Sequence, residues 1–248
     1  EMDANRRVDL GIAGDASAVL GQFIDALPAS LTAARFESWR AELKKDDAEK
    51  SEQLKAQLDS DEMPIHPMRL CREVRDFMDR DAIVCVDGQE ILSYGRQSIP
   101  TFAPGHRLNS GTFGMMGVGM PFGVGAKAAC PEKQVIVVHG DGSFGLNAME
   151  LDTAVRHSLP ILVVISLNGG WTADPKKEKT GRNLGYTRYD KMAEGLGCYG
   201  EYVERPEDIG PALVRAQQKV DEGMVALVNV KTDENARAGT VAFSSHST

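Results

Sequence analysis

Long apolar runs, paired cysteines and an excess of basic residues are all missing from this 248-residue sequence. No apolar run reaches the roughly 18 to 20 residues that a membrane-spanning helix needs, and the initial EMDANRRVDL lacks a signal-peptide pattern. The four cysteines are widely separated, without C-x-x-C spacing, which favours a reduced, cytoplasmic protein. A net charge of −8 would repel nucleic acids and anionic membranes. Small molecules are therefore the expected partners.

The N-terminal quarter of the sequence predicts two segments that do not make a complete domain. The sequence begins at Glu1 rather than methionine, and residues 6–27 predict a short strand (Val8 to Ile12), a turn and a helix. Because this is an α/β unit without its sheet, we expect residues 1–34 to be the C-terminal part of a middle α/β domain from a truncated or cleaved chain. Residues 35–63 carry dense charge of both signs and predict a helical linker.

Strands alternate with helices from residue 64 onward, and strands such as VIVV and ILVVI are apolar on both faces. The predicted helices cover residues 67–79, 118–129, 145–158 and 206–221, and the predicted strands cover residues 82–86, 134–139, 160–167 and 224–230. This pattern predicts an α/β fold, a doubly wound parallel sheet with helices on both faces, over residues 64–231. Ligands of such sheets bind in the loops after the carboxyl ends of the strands. Three loops are therefore candidates: Asp87–Glu90, Gly140–Gly145 and Asn168–Thr172.

The loop after the strand QVIVVH carries the most specific motif. Residues 140–145, GDGSFG, formally fit the G-x-G-x-x-G pattern, which leaves a nucleotide-dependent oxidoreductase as an alternative. A dinucleotide fold would next need an acidic residue at the end of the following strand, where this sequence has Asn168. Asp141 and Asn168 are expected side by side at consecutive strand ends, as hard oxygen ligands for a phosphate-bound Mg²⁺. The backbone N–H groups of Gly142 and Ser143, with the Ser143 hydroxyl, would bind the phosphate.

The same residues resemble the signature of thiamine diphosphate-dependent enzymes, in which Gly140-Asp141-Gly142, 25 intervening residues and Asn168 match the family motif. The resemblance implies that this chain binds thiamine diphosphate and Mg²⁺. It assigns three residues to the metal: Asp141, Asn168 and Gly170. It assigns four residues of these two loops to the coenzyme: Gly142, Ser143, Trp171 and Thr172.

A second stretch, residues 111–119 (GTFGMMGVG), resembles the loop that cradles the aminopyrimidine in the decarboxylase and acetolactate synthase group. In that family a backbone carbonyl matching Gly114 accepts a hydrogen bond from the exocyclic amine. A bulky side chain matching Met116 bends the coenzyme, which brings the amine next to the reactive thiazolium carbon. The resemblance therefore assigns Gly114 and Met116 to the coenzyme.

The loop after the strand AIVCV resembles the family segment that reaches the diphosphate from the other side, which assigns Gly88 and Gln89 to the coenzyme. Glu90 would be repelled by a diphosphate unless its side chain points away. Glu178 is the candidate catalytic acid or base, because it follows the metal loop beyond the cofactor. His139 ends an apolar strand and is interpreted as a core residue.

Residues 86–129 look most like oxalyl-CoA decarboxylases and 2-hydroxyacyl-CoA lyases, followed by acetolactate synthase-like proteins. The resemblance implies a carbon–carbon lyase that acts on a 2-hydroxyacyl-CoA and releases formyl-CoA or condenses it with a carbonyl compound. The alternatives are decarboxylation of oxalyl-CoA or another 2-oxo acid and acetolactate synthase-like carboligation. Four basic residues are candidates for CoA phosphates: Lys176, Lys177, Lys179 and Arg182. Residues 232–248 are interpreted as either an active-site lid or a frayed tail.

The resemblance also implies a partner. The glutamate that activates the coenzyme in this family lies in an N-terminal domain that the sequence does not contain. We therefore expect the chain to be inactive by itself, and the working site to form between two subunits of a homodimer or homotetramer. The non-enzyme alternative is an inactive scaffolding subunit, which would have no physical need for the Asp141 and Asn168 clamp.

Overall fold

The chain forms two compact units, residues 1–53 and 54–248, in a computed structural model that describes residues 7–28, 30–171 and 178–238. The helices are α1 (Ala16–Ala26), α2 (Glu37–Leu58), α3 (Pro67–Phe77), α4 (Glu90–Ser98), α5 (Gly119–Ala129), α6 (Asp141–Asn147), α7 (Glu150–Arg156), α8 (Tyr189–Gly195) and α9 (Ile209–Asp221). The strands are β1 (Ile83–Asp87), β2 (Arg107–Leu108), β3 (Val135–Gly140), β4 (Leu162–Leu167), β5 (Tyr199–Val203) and β6 (Ala226–Lys231). Within the described ranges, no helix is long and apolar enough to cross a membrane.

The first unit contains α1 and most of α2. Asp15 begins α1 by accepting the backbone N–H of Ala18 at 2.9 Å, which satisfies one of the unpaired donors of the first turn. Four apolar residues of this segment are more than half exposed: Leu20, Phe23, Ile24 and Leu27. The predicted strand from Val8 to Ile12 is wrong, because residues 7–14 are irregular and the described part of this unit offers no second strand to pair with. The assignment of residues 1–34 to a middle domain stays a prediction.

The predicted helix in the charged segment 35–63 is confirmed as α2. Its last turns belong to the second unit, where Leu54 and Leu58 pack, partly buried, against the core. The chain that follows is held by the guanidinium of Arg69, a residue that is only 8% exposed. Arg69 Nη1 donates to the Asp61 carboxylate at 2.5 Å. The entry into α3 is therefore fixed by an ion pair in which the arginine side chain is largely buried and the aspartate side chain is exposed.

The second unit is built on a parallel sheet with the strand order β2-β1-β3-β4-β6-β5. One row across the four central strands contains Cys85, Val137, Val163 and Leu227. These strands are buried along almost their whole length, because their side chains are apolar on both faces. The predicted doubly wound parallel sheet is therefore confirmed.

Helices cover both faces of this sheet. Leu70 of α3, Tyr94 of α4 and Leu213 of α9 belong to the core on one face. Met120 of α5 and Leu151 of α7 belong to the core on the other face. Burial of these apolar surfaces is the main stabilising contribution of the unit.

Four elements of the second unit escaped the sequence analysis: α4, β2, α8 and β5. The strands among them lie at the two edges of the sheet and are only partly buried, so they lack the apolar run that marks a central strand. The helix expected over residues 145–158 is also different. It begins at Asp141 and is interrupted near Ala148, so α6 and α7 are separate.

The chain reverses its winding direction between β1 and β3. From β1 it runs through α4 to the edge strand β2, and then through α5 back to β3 on the other side of β1. Such a switch point leaves a crevice at the carboxyl ends of the two strands. The loops meet there, since a Cβ atom on Gly88 would lie 3.2 Å from the backbone N of Gly140. Gly88 has φ 130°, so other residues would be strained at this position.

Candidate functional site

An open cleft, with about 490 Å³ of empty space when adjoining solvent is included, occupies this switch point. It brings together residues from all three loops that the sequence singles out. The predicted site residues that line it are Gly88, Gln89, Met116, Asp141, Gly142, Ser143, Asn168, Gly170 and Trp171. The loops that follow β1, β3 and β4 and the loop that contains Met116 therefore line the same cleft.

Asp141 is 2% exposed at the base of this cleft, as the first residue of α6. Its Oδ1 accepts the N–H of Gly142 at 2.8 Å, and its Oδ2 accepts the N–H of Gly169 at 2.7 Å. Burial raises the pKa of this carboxyl to about 6, although the N–H groups of Gly142, Gly169 and Gly170 oppose the rise. Each oxygen keeps a lone pair for a further ligand. A bound cation would offset the unfavourable burial of the charge.

Asn168 directly follows β4 and reaches the same cleft. Its Oδ1 accepts the N–H of Gly170 at 3.2 Å, which turns the loop tightly. The loop is then closed by the returning chain, because Trp171 N–H donates to the carbonyl of Arg182 at 2.8 Å. A Cβ atom on Gly170 would lie 2.8 Å from that carbonyl oxygen, so glycine is required there.

The indole ring of Trp171 lies against the backbone of Gly142. A Cβ atom on Gly142 would be 3.1 Å from two ring atoms, a contact tighter than side chains normally make. The ring thus forms a wall of the cleft beside the start of α6. Thr172, which was also assigned to the coenzyme, lies outside the described residues, as do Lys176 and Lys177.

Ser143 corrects one expectation. Its hydroxyl is 1% exposed and points into the fold, at 3.0 Å from the carbonyl oxygens of both Asp87 and Gly140. A hydroxyl that donates to these carbonyls is not directed at a phosphate. The N–H of Gly142 is likewise taken up by the Asp141 carboxylate. These two donors are therefore directed at other groups of the protein, and the phosphate contact of the Ser143 backbone N–H stays a prediction.

The loop before α5 contributes Met116, which lines the cleft, and Gly114, which does not. Gly114 has φ 64°, a left-handed conformation that favours glycine. The carbonyl of Gly117 accepts the side-chain N–H of Asn147 at 2.8 Å, which ties this loop to α6. The coenzyme role of Gly114 stays a prediction.

Glu90 begins α4 and lines the cleft, where its carboxylate is engaged by the C-terminal segment. Its Oε2 accepts the backbone N–H of Ala238 at 2.9 Å, so it holds the C-terminal segment rather than facing an anion. Ala236 of the same segment lines the cleft. Glu178, the candidate catalytic residue, is exposed and is not among the described residues that line the cleft. Its role stays a prediction.

Sequence reasoning missed several cleft residues: Pro67, Ile91, Ser166 and Ala236. Ser166 was readable as a polar residue inside the apolar strand ILVVISL, and its hydroxyl lies 3.0 Å from Thr232 Oγ1. The others belong to helices or to the C-terminal segment, and nothing in the motifs places them near the cleft. Their positions follow from the tertiary packing alone.

The described residues fit a Mg²⁺-bridged diphosphate. Asp141 and Asn168 supply a carboxylate and an amide oxygen at adjacent strand ends, which are the donors that Mg²⁺ prefers beside phosphate oxygens. Within the part of the chain that the structure describes, no three His, Cys, Asp or Glu side chains converge as an all-protein metal cage. A Mg²⁺ ion that keeps ligands from a diphosphate does not need such a cage.

Residues 92–230 match the sequence family described as "Thiamine pyrophosphate enzyme, C-terminal TPP binding domain". Thiamine pyrophosphate is the coenzyme also called thiamine diphosphate. The matched segment contains the Met116 loop, Asp141 and Asn168. This chain therefore belongs to the thiamine pyrophosphate enzyme family and contains its C-terminal coenzyme-binding domain.

Curated relatives carry two kinds of name. An acetolactate synthase large subunit from Mycobacterium tuberculosis is 36% identical over 92% of this chain and 42% of its own length. The 2-hydroxyacyl-CoA lyase 2 of Bos taurus is 30% identical over 94% of this chain and 38% of its own length. The 2-hydroxyacyl-CoA lyase of Arabidopsis thaliana is 31% identical over 94% of this chain and 43% of its own length. The chain thus spans about two fifths of the relatives that it matches.

A solved structure shares the fold. It is the thiamine diphosphate-dependent 4-hydroxybenzoylformate decarboxylase of Rhodococcus jostii RHA1, with a TM-score of 0.63 and 25% sequence identity. The similarity covers 70% of this chain and 34% of the decarboxylase chain. The family and the α/β architecture are therefore supported by sequence and by structure.

Proposed function

We propose that this chain is the coenzyme-holding part of a thiamine diphosphate- and Mg²⁺-dependent lyase that cleaves or forms a carbon–carbon bond in a 2-hydroxyacyl-CoA. The observation that carries the proposal is the convergence of Asp141, Asn168 and Met116 on one cleft at the switch point of the sheet. Relatives named 2-hydroxyacyl-CoA lyase, at 30% and 31% identity, support the choice of substrate class.

Different residues of the cleft are proposed to bind different parts of the coenzyme. Asp141 and Asn168, with the backbone of Gly170, would hold Mg²⁺, which would supply positive charge for binding the diphosphate. Gly88 and Gln89 approach the diphosphate from the end of β1. The Trp171 ring lines the cleft and lies beside the start of α6.

Met116 also lines the cleft, and its flexible apolar side chain is proposed to support the coenzyme between its two rings. When bound, the thiazolium supplies an electron sink for the substrate carbanion. The protein supplies binding and orientation, which bring reacting groups into contact without a loss of entropy at the moment of reaction. Glu178 is proposed to move a proton at the substrate.

Activation of the coenzyme needs a carboxylate that the described cleft does not provide. The acidic side chains that line it are Asp141, which is proposed to bind the metal, and Glu90, which holds Ala238. We propose that the activating glutamate comes from a further domain and that the working enzyme is a homodimer or homotetramer. The four cysteines are free, which is consistent with the reduced, cytoplasmic setting; that setting stays a prediction.

The coenzyme assignment is tested by binding. Trp171 lines the cleft and is one of two tryptophans in the chain. In a Trp39→Phe variant, tryptophan fluorescence would therefore come from Trp171 alone. Thiamine diphosphate with Mg²⁺ is expected to change Trp171 fluorescence, and EDTA is expected to reverse the change. Asp141→Ala and Asn168→Ala should each weaken binding by at least about tenfold, as expected for loss of a charged or chelating contact. Unchanged affinity in both variants would contradict the clamp.

The substrate class is tested on the full-length enzyme by turnover. Formyl-CoA with a ketone or aldehyde, oxalyl-CoA and pyruvate are compared in parallel with thiamine diphosphate and Mg²⁺ present. Condensation of formyl-CoA supports the 2-hydroxyacyl-CoA lyase, and loss of CO₂ from oxalyl-CoA indicates the decarboxylase. Turnover of pyruvate alone would favour an acetolactate synthase-like carboligase, the second candidate, which the 36% identical relative supports. No turnover with intact coenzyme binding would favour a scaffolding subunit.

A further inference from the structure

A buried carboxylate, Asp87, connects the two loops that hold opposite ends of the proposed coenzyme. Asp87 ends β1 and is 3% exposed. Its Oδ2 accepts the N–H of Gly119, the first residue of α5, at 2.9 Å. Burial raises the pKa of Asp87, and the N–H groups of Gly119, Gly117, Gly88 and Val118 oppose that rise. Asp87 is thus surrounded by donors from the end of the Met116 loop.

The backbone of Asp87 is joined to the other loop. Its carbonyl accepts the hydroxyl of Ser143 at 3.0 Å, as does the carbonyl of Gly140. The Nδ1 of His139 lies 3.1 Å from the same hydroxyl oxygen. With the hydroxyl proton directed at these carbonyls, the tautomer that carries its proton on Nδ1 would donate to Ser143. The same Nδ1 lies 3.7 Å from the Oδ2 of Asp87.

The His139 ring also sets the position of α5 by its shape. A Cβ atom on Gly119 would be 2.6 Å from both Cε1 and Nε2 of His139, and 2.8 Å from the Cβ of Asp87. The backbone of Gly119 therefore lies directly against the edge of the ring. The Nε2 atom has no hydrogen-bond partner among the described residues, so this contact acts through packing.

Together these contacts fix the span between two parts of the cleft. On one side, the end of the Met116 loop is held at Gly119 by Asp87. On the other side, the loop that begins with Asp141 is held at Ser143 by the same residue and by His139. A displacement of Asp87 or His139 would change the separation of Met116 and Asp141.

We propose that Asp87 and His139 are positioning residues that form a brace between the Met116 loop and the Asp141 clamp, and thereby set the span available to the coenzyme between its rings and its diphosphate. The brace rests on the proposed coenzyme function. It acts only on ligands that bridge both loops. A ligand that occupies the clamp alone is insensitive to it.

The test compares two ligands that differ in span. Trp171 fluorescence in the Trp39→Phe background is titrated with Mg²⁺ and either thiamine diphosphate or inorganic pyrophosphate. In Asp87→Ala, affinity for thiamine diphosphate should fall by about tenfold, while affinity for pyrophosphate stays within about twofold of the parent. Asp87→Asn should restore most of the loss, because its amide oxygen can still accept the N–H of Gly119.

His139→Asn gives a second, independent variant. Its side-chain N–H₂ can replace Nδ1 as donor to Ser143, but the ring edge that supports Gly119 is lost. We expect a selective loss of thiamine diphosphate affinity here too. Asp141→Ala is the matched control that should weaken both ligands equally, and Asp81→Ala, in an exposed ion pair with Lys133, should weaken neither.

A ligand-free readout separates positioning from coenzyme chemistry. Hydrogen exchange at the amide of Gly119 should be faster in Asp87→Ala and close to the parent rate in Asp87→Asn. Equal loss of both ligands, or an unchanged affinity ratio, in Asp87→Ala would overturn the brace. If that variant does not fold, an unchanged ratio in His139→Asn overturns it. A parent chain that binds neither ligand removes the proposed function as well, whereas a parent that binds both leaves that function standing.

Discussion

The Oδ2 atom of Asp141 accepts the backbone N–H of Gly169 at 2.7 Å and so joins the ends of β3 and β4. The carboxylate that is proposed to bind Mg²⁺ therefore also holds the loop that contains Asn168. Its other oxygen fixes the first turn of α6 through Gly142. The proposed metal site would therefore be preorganised by its own ligand, which reduces the ordering that binding would otherwise require.

Metal-dependent binding should depend on pH through Asp141. The pKa of this carboxyl is raised to about 6 by burial, so below that pH the ligand-free site holds a proton that Mg²⁺ must displace. We expect the dissociation constant for Mg²⁺ and pyrophosphate to rise by about tenfold for each pH unit below 6. Titrations from pH 7.5 to about 5, corrected for protonation of the free ligand, test this expectation. A flat profile after correction would show that Asp141 is already ionised throughout.

Removal of the metal should lower the stability of the protein more at neutral pH than in acid. Because the pKa of Asp141 is higher in the folded protein than in the unfolded chain, protonation of Asp141 stabilises the fold. This stabilisation is fully present below the ordinary pKa of 3.8 and is lost as the pH rises through about 6. At pH 7 the uncompensated charge lowers stability by about 3 kcal/mol. EDTA should therefore lower the unfolding temperature of the thiamine diphosphate complex much more at pH 7 than at pH 5. Equal effects at both values would contradict the assignment.

Gly142→Ala should disturb the wall of the cleft. The new methyl group would be 3.1 Å from the Trp171 ring, so the ring must move by a few tenths of an ångström. We expect about tenfold weaker coenzyme binding by calorimetry and a stability loss of about 1–3 kcal/mol. The double variant Gly142→Ala, Trp171→Phe should recover part of the stability. Gly125→Ala is the matched control, since a Cβ there meets nothing within 4 Å and α5 should gain about 0.5–1 kcal/mol.

Glu90 should control the order of the C-terminal segment beside the cleft. Its Oε2 accepts the N–H of Ala238 at 2.9 Å, and Ala236 lines the cleft. In Glu90→Ala, hydrogen exchange at the Ala238 amide should accelerate by at least about tenfold, because its protecting bond is lost. In Glu90→Gln an acceptor remains, so the rate should stay near that of the parent. Equal rates in all three proteins would exclude this tether.

Asp190 should contribute a stability that disappears in acid. Burial raises the pKa of Asp190, but the hydrogen bonds from Arg188 and Asn229 outweigh burial and hold the pKa below its ordinary value. The contribution is therefore present above pH 3.8 and is lost as the pH falls through the lower, folded-state pKa. Asp190→Asn should lower the free energy of unfolding by about 1–3 kcal/mol at pH 7. Urea titrations should show a smaller difference near pH 3; a constant difference would point to packing instead.

The central part of the fold could be predicted because its strands are apolar on both faces. Runs such as VIVV in β3 and LVVI in β4 can be buried only between two helical layers, so the parallel sheet follows from the sequence. The edge strand β5 could not be predicted, because most of its residues are half-exposed and its sequence, YGEYV, lacks a continuous apolar run. The strand expected from Val8 to Ile12 failed for the related reason that an apolar segment becomes a strand only beside a partner.

The sequence by itself determined the family and the two residues proposed as the clamp, because Asp141 and Asn168 occur at fixed spacing after two recognisable strands. Only the tertiary structure decided what neighbouring polar groups do. Glu90 turns to Ala238, the Ser143 hydroxyl turns inward, and Asp87 reaches Gly119. The physical reason is that the direction of a side chain depends on the donors and acceptors that other parts of the chain place around it.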